Sequence, residues 1–414
     1  KRKMAKLSTF FPGKYLCGEF MDMCKTKQDS GIQQSRLYPE NLRFYEDLQV
    51  SEREEEPLSR LERLKNVEKP LLSWYHSRAR SLPWRDDPKP YRVWISEIML
   101  QQTRVEAVKP YFQRFIGELP DVQALAECPE EKLMKLWEGL GYYNRVRNMQ
   151  TAARTVVCEY EGELPASYEE LLSLKGIGNY TAGAIASIAY QIPVPAVDGN
   201  VLRVISRITE DRQDIMKQSV RRQIEENLLG IMPEETPGDF NQALMELGAV
   251  VCVPNGSARC EACPVSEYCL AYRHGTVEEL PVKAPKKERI LQNRTVLVIQ
   301  DGEKTAIQKR PEKGLLAGLY ELPNLLGHLT REEVLDKVKN MQLEPLYIEK
   351  LPDAKHIFSH IEWRMTGYLI RVAALDTDRG LPFIFAEKKQ SEKQYAIPSA
   401  FRAYVKYMKE ESGK

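Results

Sequence analysis

One change of periodicity, at residues 280–291, constrains the fold of this chain more than any other feature. Before it, apolar residues recur at helical spacing and almost nothing alternates as a half-buried strand does. "EKPLLSWYHSRA" sets Leu71, Leu72, Trp74, Tyr75 and Arg78 on an amphipathic helix, and "YRVWISEIMLQQTRVEAVKPYFQRF" continues helically, with Pro110 expected to break or restart it. Asp121 is placed to cap "VQALAE", and Gly139 and Gly141 punctuate a later helix end. "TAGAIASIAY", small and apolar throughout, reads as a central buried helix, and "GNVLRVISRI" and "DFNQALMELGAVV" complete the region. Then "LPVKAPKKERI" brings two prolines and a basic run, as a linker would, and one that could touch phosphate. Beyond it, "TVLVIQDGEKTAIQKR" is two strand-like runs about a turn, "TREEVLDKVKNM" a helix with Thr330 and Glu333 as a capping box, "HIEWRMTGYLIRVAAL" more strand, and "PSAFRAYVKYMKE" a closing helix. The expected organisation is a helical domain over 58–279, a linker over 280–291 and a compact α+β domain over 292–414. Residues 1–57 lack sustained periodicity and end in "SEREEE". They read as a loosely ordered extension, with a small docking element as the alternative.

Bulk composition points to no particular partner. The 414 residues carry a formal net charge of +1, with 43% hydrophobic and 29% charged residues, so any surface for a polyanion must be a local patch. No apolar run approaches the roughly 20 residues of a membrane span. The opening "KRKMAKLSTFFPGKYL" has no apolar stretch behind its basic start, unlike a secretory leader. Four of the eight cysteines fall within "CVPNGSARCEACPVSEYC". That clustering suits a ligand set in a reducing compartment rather than a disulfide framework, and a cytoplasmic, monomeric protein is expected.

Three local features carry chemistry. Cys252, Cys260, Cys263 and Cys269 are separated by seven, two and five residues. Four thiolates without histidine suit an iron–sulfur cluster or a structural zinc, and the single Cys-x-x-Cys knuckle favours the cluster. In "SLKGIGNYTAGAIA" the Gly176-Ile177-Gly178 turn feeds a helix, so its backbone N–H groups can hold a phosphate without a charged side chain. An ordinary turn between helices is the alternative. Twenty residues after Gly178, "VDGN" places Asp198 directly before another helix, whose N-terminus favours the charged carboxylate. An isolated aspartate there is more often only a cap.

Occurring in this order, the turn, the aspartate and the cysteines resemble the helix–hairpin–helix DNA glycosylases of the endonuclease III branch, over roughly residues 60–275. The resemblance implies a mainly α glycosylase domain with a [4Fe–4S] cluster on the four cysteines, although the family usually has six residues in the first gap. It also implies that Asp198 stabilises the cationic sugar formed as the base departs. Tyr180 then gains meaning. Bifunctional members present a lysine there, which forms a Schiff base and cuts the strand; a phenol cannot make an imine, so hydrolysis by water is expected. Lys175 lies on the other side of the turn. Monofunctional removal of a purine needs a general acid, and "WISEIMLQQTRVE" offers Glu97 in an otherwise apolar helix, where burial would keep it protonated.

The words "SEIMLQQTRVE", "LPWR", "WEGLGYYNRVRN", "LKGIGNYT" and "AVDGNVLRV" together are similar to the MutY-type adenine DNA glycosylases. That resemblance implies a duplex substrate carrying A:8-oxoguanine or A:G mispairs, from which adenine is flipped out and removed. It implies that Glu97 protonates the five-membered ring of adenine and later handles the water, and that Tyr180 and Asn200 position Glu97 and Asp198. Gln102 and Tyr142 would wedge into the duplex, with Thr103, Gly176 and Gly178 also on DNA. Trp84, Arg85 and Gln242 would line the base pocket, though Trp84 and Tyr142 could equally be core. After the linker the chain resembles a Nudix-like domain without the catalytic box, so no magnesium site for pyrophosphate cleavage is expected. "HIFSHIEW" would supply a lesion-sensing loop through Phe358, Ser359 and His360. The rival readings are a bifunctional glycosylase/AP lyase for oxidised pyrimidines, a nucleotide-pool hydrolase and a catalytically silent DNA-binding protein.

Overall fold

A computed structural model describes residues 58–285, 288–374 and 381–408, all within one compact unit spanning Pro57–Lys414. The extension over 1–57, Lys286 and Lys287 of the linker, and the last residues of the closing helix lie outside the described residues.

The helical region holds two apolar cores rather than one. The first gathers Trp94, Phe115, Trp137, Val146 and Ile185; the second gathers Leu64, Leu71, Leu202, Ile205, Phe240 and Leu247. The chain crosses between them at Ala196 and Val197, and Met245 packs against both. The helix Asn179–Tyr190 is buried along Thr181–Ile188, as its small-residue sequence demands. Each aliphatic side chain removed from water in these cores contributes about 1.5–3 kcal/mol.

Local expectations mostly hold. Asp121 caps Val122–Glu127 by accepting from the Ala124 N–H, at 2.8 Å. Gly139 and Gly141 both take positive φ, 100° and 69°. Pro110 does not break its helix, which runs Val105–Glu118 with the proline inside. The interruption comes earlier, at residues 101–104, where Gln102 turns left-handed at φ 62°. The linker is also less free than its composition suggests. Leu280 is buried, its carbonyl accepts from Arg207 Nε at 3.0 Å, and Val282 accepts from the Ile215 N–H at 3.1 Å. At the other end, the sheet already begins at Ile290.

The C-terminal region is a seven-stranded sheet among the described residues, built from β1 (Ile290–Asp301), β2 (Lys304–Lys309), β3 (Tyr320–Glu321), β4 (Asn324–Leu326), β5 (Pro345–Ile357), β6 (Ile361–Val372) and β7 (Ile384–Glu387). The order is β3-β2-β1-β6-β5, with β4 also on β1 and β7 on β2. β1 and β6 are parallel and the other pairs antiparallel. Alternation along β1 sends Val296 and Val298 to a core with Trp363, Met365, Phe401 and Tyr404, and Leu297 and Ile299 to another with Val334, Val338 and Ile370. A strand buried on both faces must read as a continuous apolar run, and "VLVI" does. The helix Arg331–Asn340 starts at the expected Thr330–Glu333 capping box. The closing helix is shorter than expected: a 3₁₀ turn at Ser399–Phe401 leads into Arg402–Val405, and Phe401 and Tyr404 plug the sheet. No described helix is long and apolar enough to cross a membrane.

Candidate active site and nucleic-acid interface

The two candidate carboxylates face one another across the seam between the helical cores. Glu97 projects from the helix Pro90–Leu100, which belongs to the first core, and is 5% exposed. Asp198 caps Gly199–Ile208, a helix of the second. Asn241 fixes the approach to Asp198: its amide oxygen accepts from the Ala196 N–H at 2.9 Å, and its NH₂ donates to Ser187 Oγ and the Val194 carbonyl.

Burial sets the protonation of Glu97. Its pKa is raised to about 7, chiefly by loss of hydration and also by the nearby Asp198. The hydrogen bond from Tyr180 and the charge of Arg85 act in the opposite sense. The Tyr180 hydroxyl donates to Glu97 Oε2 and lies 3.5 Å from Met245 Sδ. Its own pKa is driven well above the ordinary phenol value, chiefly by burial, so it stays a donor. Asp198 accepts from the Asn200 and Val201 N–H groups, both at 2.8 Å, and from Asn200 Nδ2 at 2.7 Å. The helix N-terminus was expected to hold this carboxyl low. Burial wins instead: the pKa of Asp198 is raised, against the hydrogen bonds from Val201 and Asn200 and the charge of Arg203. A pocket that already disfavours the anion gains most when a cation arrives beside it.

Arg85 and Gln242 come together: Arg85 Nε donates to Gln242 Oε1 at 3.1 Å. Trp84 takes the alternative that the sequence left open for it. It is core, 6% exposed and edge-on to Phe112. The sequence reading missed Glu246, which is fully buried one turn beyond Gln242. It takes the Arg80 guanidinium by two hydrogen bonds, at 2.6 and 2.9 Å, the Arg80 backbone N–H by a third at 3.2 Å, and Arg85 by a fourth at 2.9 Å. Shared helical spacing from Gln242 was the signal that could have found it.

Gln102 and Tyr142 sit on two loops, the first exposed and the second half-exposed, both with left-handed backbone (φ 62° and 47°). Such residues cost about 1–3 kcal/mol each unless their surroundings hold them. Arg145, also missed, does the holding. Its guanidinium donates to the carbonyls of Ile98, in the last turn of the helix before the first loop, of Gln101 in that loop, and of Leu140 and Gly141 in the other, and lies 5.6 Å from the Tyr142 ring centre. Thr103 lies in the first loop, partly buried. At the glycine turn, Gly176 has φ +83°, and a Cβ there would meet Asn148 Cβ at 2.7 Å. Gly178 caps the helix carrying Tyr180, and Lys175 is exposed on the far side.

Cys252, Cys260, Cys263 and Cys269 line one apolar cavity beside Arg207. Arg207 Nη1 lies 3.2 Å from Cys252 Sγ. Burial lifts the Cys263 thiol to about 12 and Cys269 to about 11, and the neighbouring thiols push both the same way. A set of thiolates there needs a central positive group. Among the described residues, no three His, Cys, Asp or Glu side chains converge on a point that could hold one ion. Four thiols lining one cavity are a donor set of the kind an iron–sulfur group takes. Arg203 joins this segment to the site, donating from Nε to the Cys252 carbonyl at 2.9 Å and from Nη2 to Asn200 Oδ1 at 2.9 Å.

In the C-terminal domain Phe358, Ser359 and His360 form the turn between β5 and β6, closed by the Phe358 N–H on the Ile361 carbonyl at 2.8 Å. Ser359 and His360 are exposed. Phe358 is partly buried on Trp363, 4.9 Å between rings, and Arg294 stacks on Trp363 at 4.2 Å.

Residues 95–228 match the HhH-GPD superfamily of base excision DNA repair proteins, and residues 295–407 match the NUDIX domain. The class is therefore a DNA glycosylase with a Nudix-like domain behind it. Adenine DNA glycosylase from Mus musculus is 35% identical over 364 residues, covering 74% of this chain and 70% of that protein. Its counterpart in Buchnera aphidicola of Schizaphis graminum is 33% identical over 308 residues, covering 73% and 87%. A thermostable thymine-DNA glycosylase of solved structure is 28% identical at TM-score 0.46, over 51% of this chain and 97% of that one. The chain belongs to the adenine DNA glycosylase family.

Proposed function

We propose that the protein removes adenine mispaired with 8-oxoguanine, or with guanine, from duplex DNA, hydrolysing the N-glycosidic bond and leaving the strand intact. The observation that carries this reading is the Tyr180 hydroxyl on the buried Glu97 carboxyl. The place where a lyase would offer an amine holds a phenol that keeps a carboxylic acid in position.

The adenine must leave the stack to reach these groups. Gln102 and Tyr142, pre-set by Arg145, would fill the space it vacates, while the Gly176–Gly178 turn and Thr103 hold the backbone. Arg85 and Gln242 would face the flipped base. Glu97, neutral up to a pH of about 7, gives its proton to the five-membered ring of the base. The C1′–N9 bond breaks with its electron pair going to adenine. The sugar cation that remains is stabilised by Asp198, which Asn200 orients. Glu97, now a carboxylate, takes the proton of the water that adds at C1′. Ser359 and His360 would meet the base opposite adenine. Cys252, Cys260, Cys263 and Cys269 would hold a [4Fe–4S] cluster, which when bound would tie the 252–269 segment together, and Arg203 and Arg207 link that segment to the helix Gly199–Ile208.

Single-turnover assays on duplexes with adenine opposite 8-oxoguanine, guanine or thymine, read with and without alkali, test the reading. Cleavage only after alkali, fastest opposite 8-oxoguanine, supports it. Scission without alkali means an amine forms the Schiff base and the lyase reading returns. Iron analysis and visible absorbance of anaerobically prepared protein test the cluster, and colourless, iron-free protein would overturn it.

A further inference from the structure

The C-terminal domain does not merely follow the helical one; it grips both flanks of the loop that carries Tyr142. Upstream of that loop, Glu138 Oε1 accepts from the Ile397 N–H at 2.7 Å, and Lys135, paired to Glu138 at 2.6 Å, donates to the Tyr395 carbonyl at 3.1 Å. Downstream, Arg147 Nη2 donates to the Ala317 carbonyl at 2.8 Å while its Nε holds Glu130 at 2.8 Å. Leu319, two residues beyond Ala317 and 1% exposed, is part of the first helical core. The backbone at Gly318 comes so close that a Cβ there would lie 2.8 Å from Arg147 Nη2. Arg147 itself stands on the helix Asn144–Glu159, two residues after the Arg145 that sets the Tyr142 loop. A shift of the C-terminal domain therefore cannot occur without pulling on both ends of a loop only a few residues long.

We infer that Arg147 and Glu138 are positioning residues that transmit the identity of the base met by the Phe358–His360 turn to the wedge at Tyr142. This rests on the proposed reading of the opposite base by that turn. Coupling through such packed contacts is worth about 0.5–2 kcal/mol, roughly a tenfold effect on a rate.

The test is single-turnover excision by Arg147→Met and Glu138→Leu, each of which removes its group from the contact, on two duplexes, adenine opposite 8-oxoguanine and adenine opposite guanine. The rate opposite 8-oxoguanine should fall about tenfold toward the guanine rate, while the guanine rate stays within about twofold. Arg147→Lys, which keeps a donor, should recover part of the preference. Gly318→Ala should reproduce the loss from the other side of the contact. Equal loss on both duplexes would mean simple structural damage and overturn the inference. An unchanged ratio in the variants, with the unmodified protein preferring 8-oxoguanine, would overturn the coupling and leave the lesion reading standing. No preference in the unmodified protein would remove both.

Discussion

The helical region and the C-terminal domain place their candidate residues in opposite ways. Glu97 is buried, and Tyr180 and Asp198 are partly buried, in a seam between two cores, where loss of water shifts all three proton affinities upward. Ser359 and His360 stand in solvent at the tip of a strand turn, and what is buried beneath them is their support: Phe358 on Trp363, and Trp363 under Arg294. Chemistry needs a dry site with shifted proton affinities, whereas reading a base edge needs only an exposed group held still. Interior substitutions should therefore change the rate of the chemical step, and tip substitutions the choice of substrate.

The sharpest break of that contrast is Glu97→Gln, which keeps the shape and the acceptor for Tyr180 but not the acid. Excision should fall by about 10²–10⁴ on every mispair alike in single-turnover assays. Loss confined to one mispair would place recognition inside the seam. Next comes pH. Glu97 acts as an acid with its pKa raised to about 7, so the single-turnover rate should fall about tenfold per unit as pH rises above that value, and level off below it. A profile breaking near the ordinary carboxylate value would mean the carboxyl is hydrated. Smaller is Ser359→Ala, which removes an exposed donor. The preference for 8-oxoguanine over guanine should drop by about 0.5–1.5 kcal/mol, roughly 2–12-fold, with excision opposite guanine unmoved. Smallest is Thr330→Ala at the capping box of Arg331–Asn340, far from either site. It should cost about 1 kcal/mol in denaturant unfolding and leave all excision rates alone, and a rate change there would show the domain to be less modular than described.

Much of this was legible from local sequence. The β1–β2 hairpin, the Thr330 box and the helix after Gly178 are each decided within a dozen residues, and sequence states such rules openly. Glu97 was legible through the family-like words around it, since an acid amid "WISEIML" taken alone reads more readily as a partly exposed helix residue. Arg145, Arg203 and Glu246 were not, because each acts through partners far along the chain or through bare carbonyls. Arg203 meets the Cys252 carbonyl, and Glu246 meets Arg80 and Arg85. Pro110 misled because a missing N–H and a fixed φ are tolerated where the surrounding turns continue the helix. For Asp198 the dipole argument was sound but incomplete: its helix N-terminus is real, and dehydration outweighs it. Trp84 was open in the sequence between pocket and core, and it packs edge-on against Phe112.

The seam has a consequence for how the molecule ages and fails. Glu97 belongs to one core and Asp198 to the other, so neither core alone owns a working site. A fluctuation that parts them by an ångström leaves every helix intact, yet separates the proton donor from the group that receives the cation. On gentle heating, catalytic competence should vanish before any loss of helicity is visible. Activity is then the more sensitive thermometer of this protein's integrity.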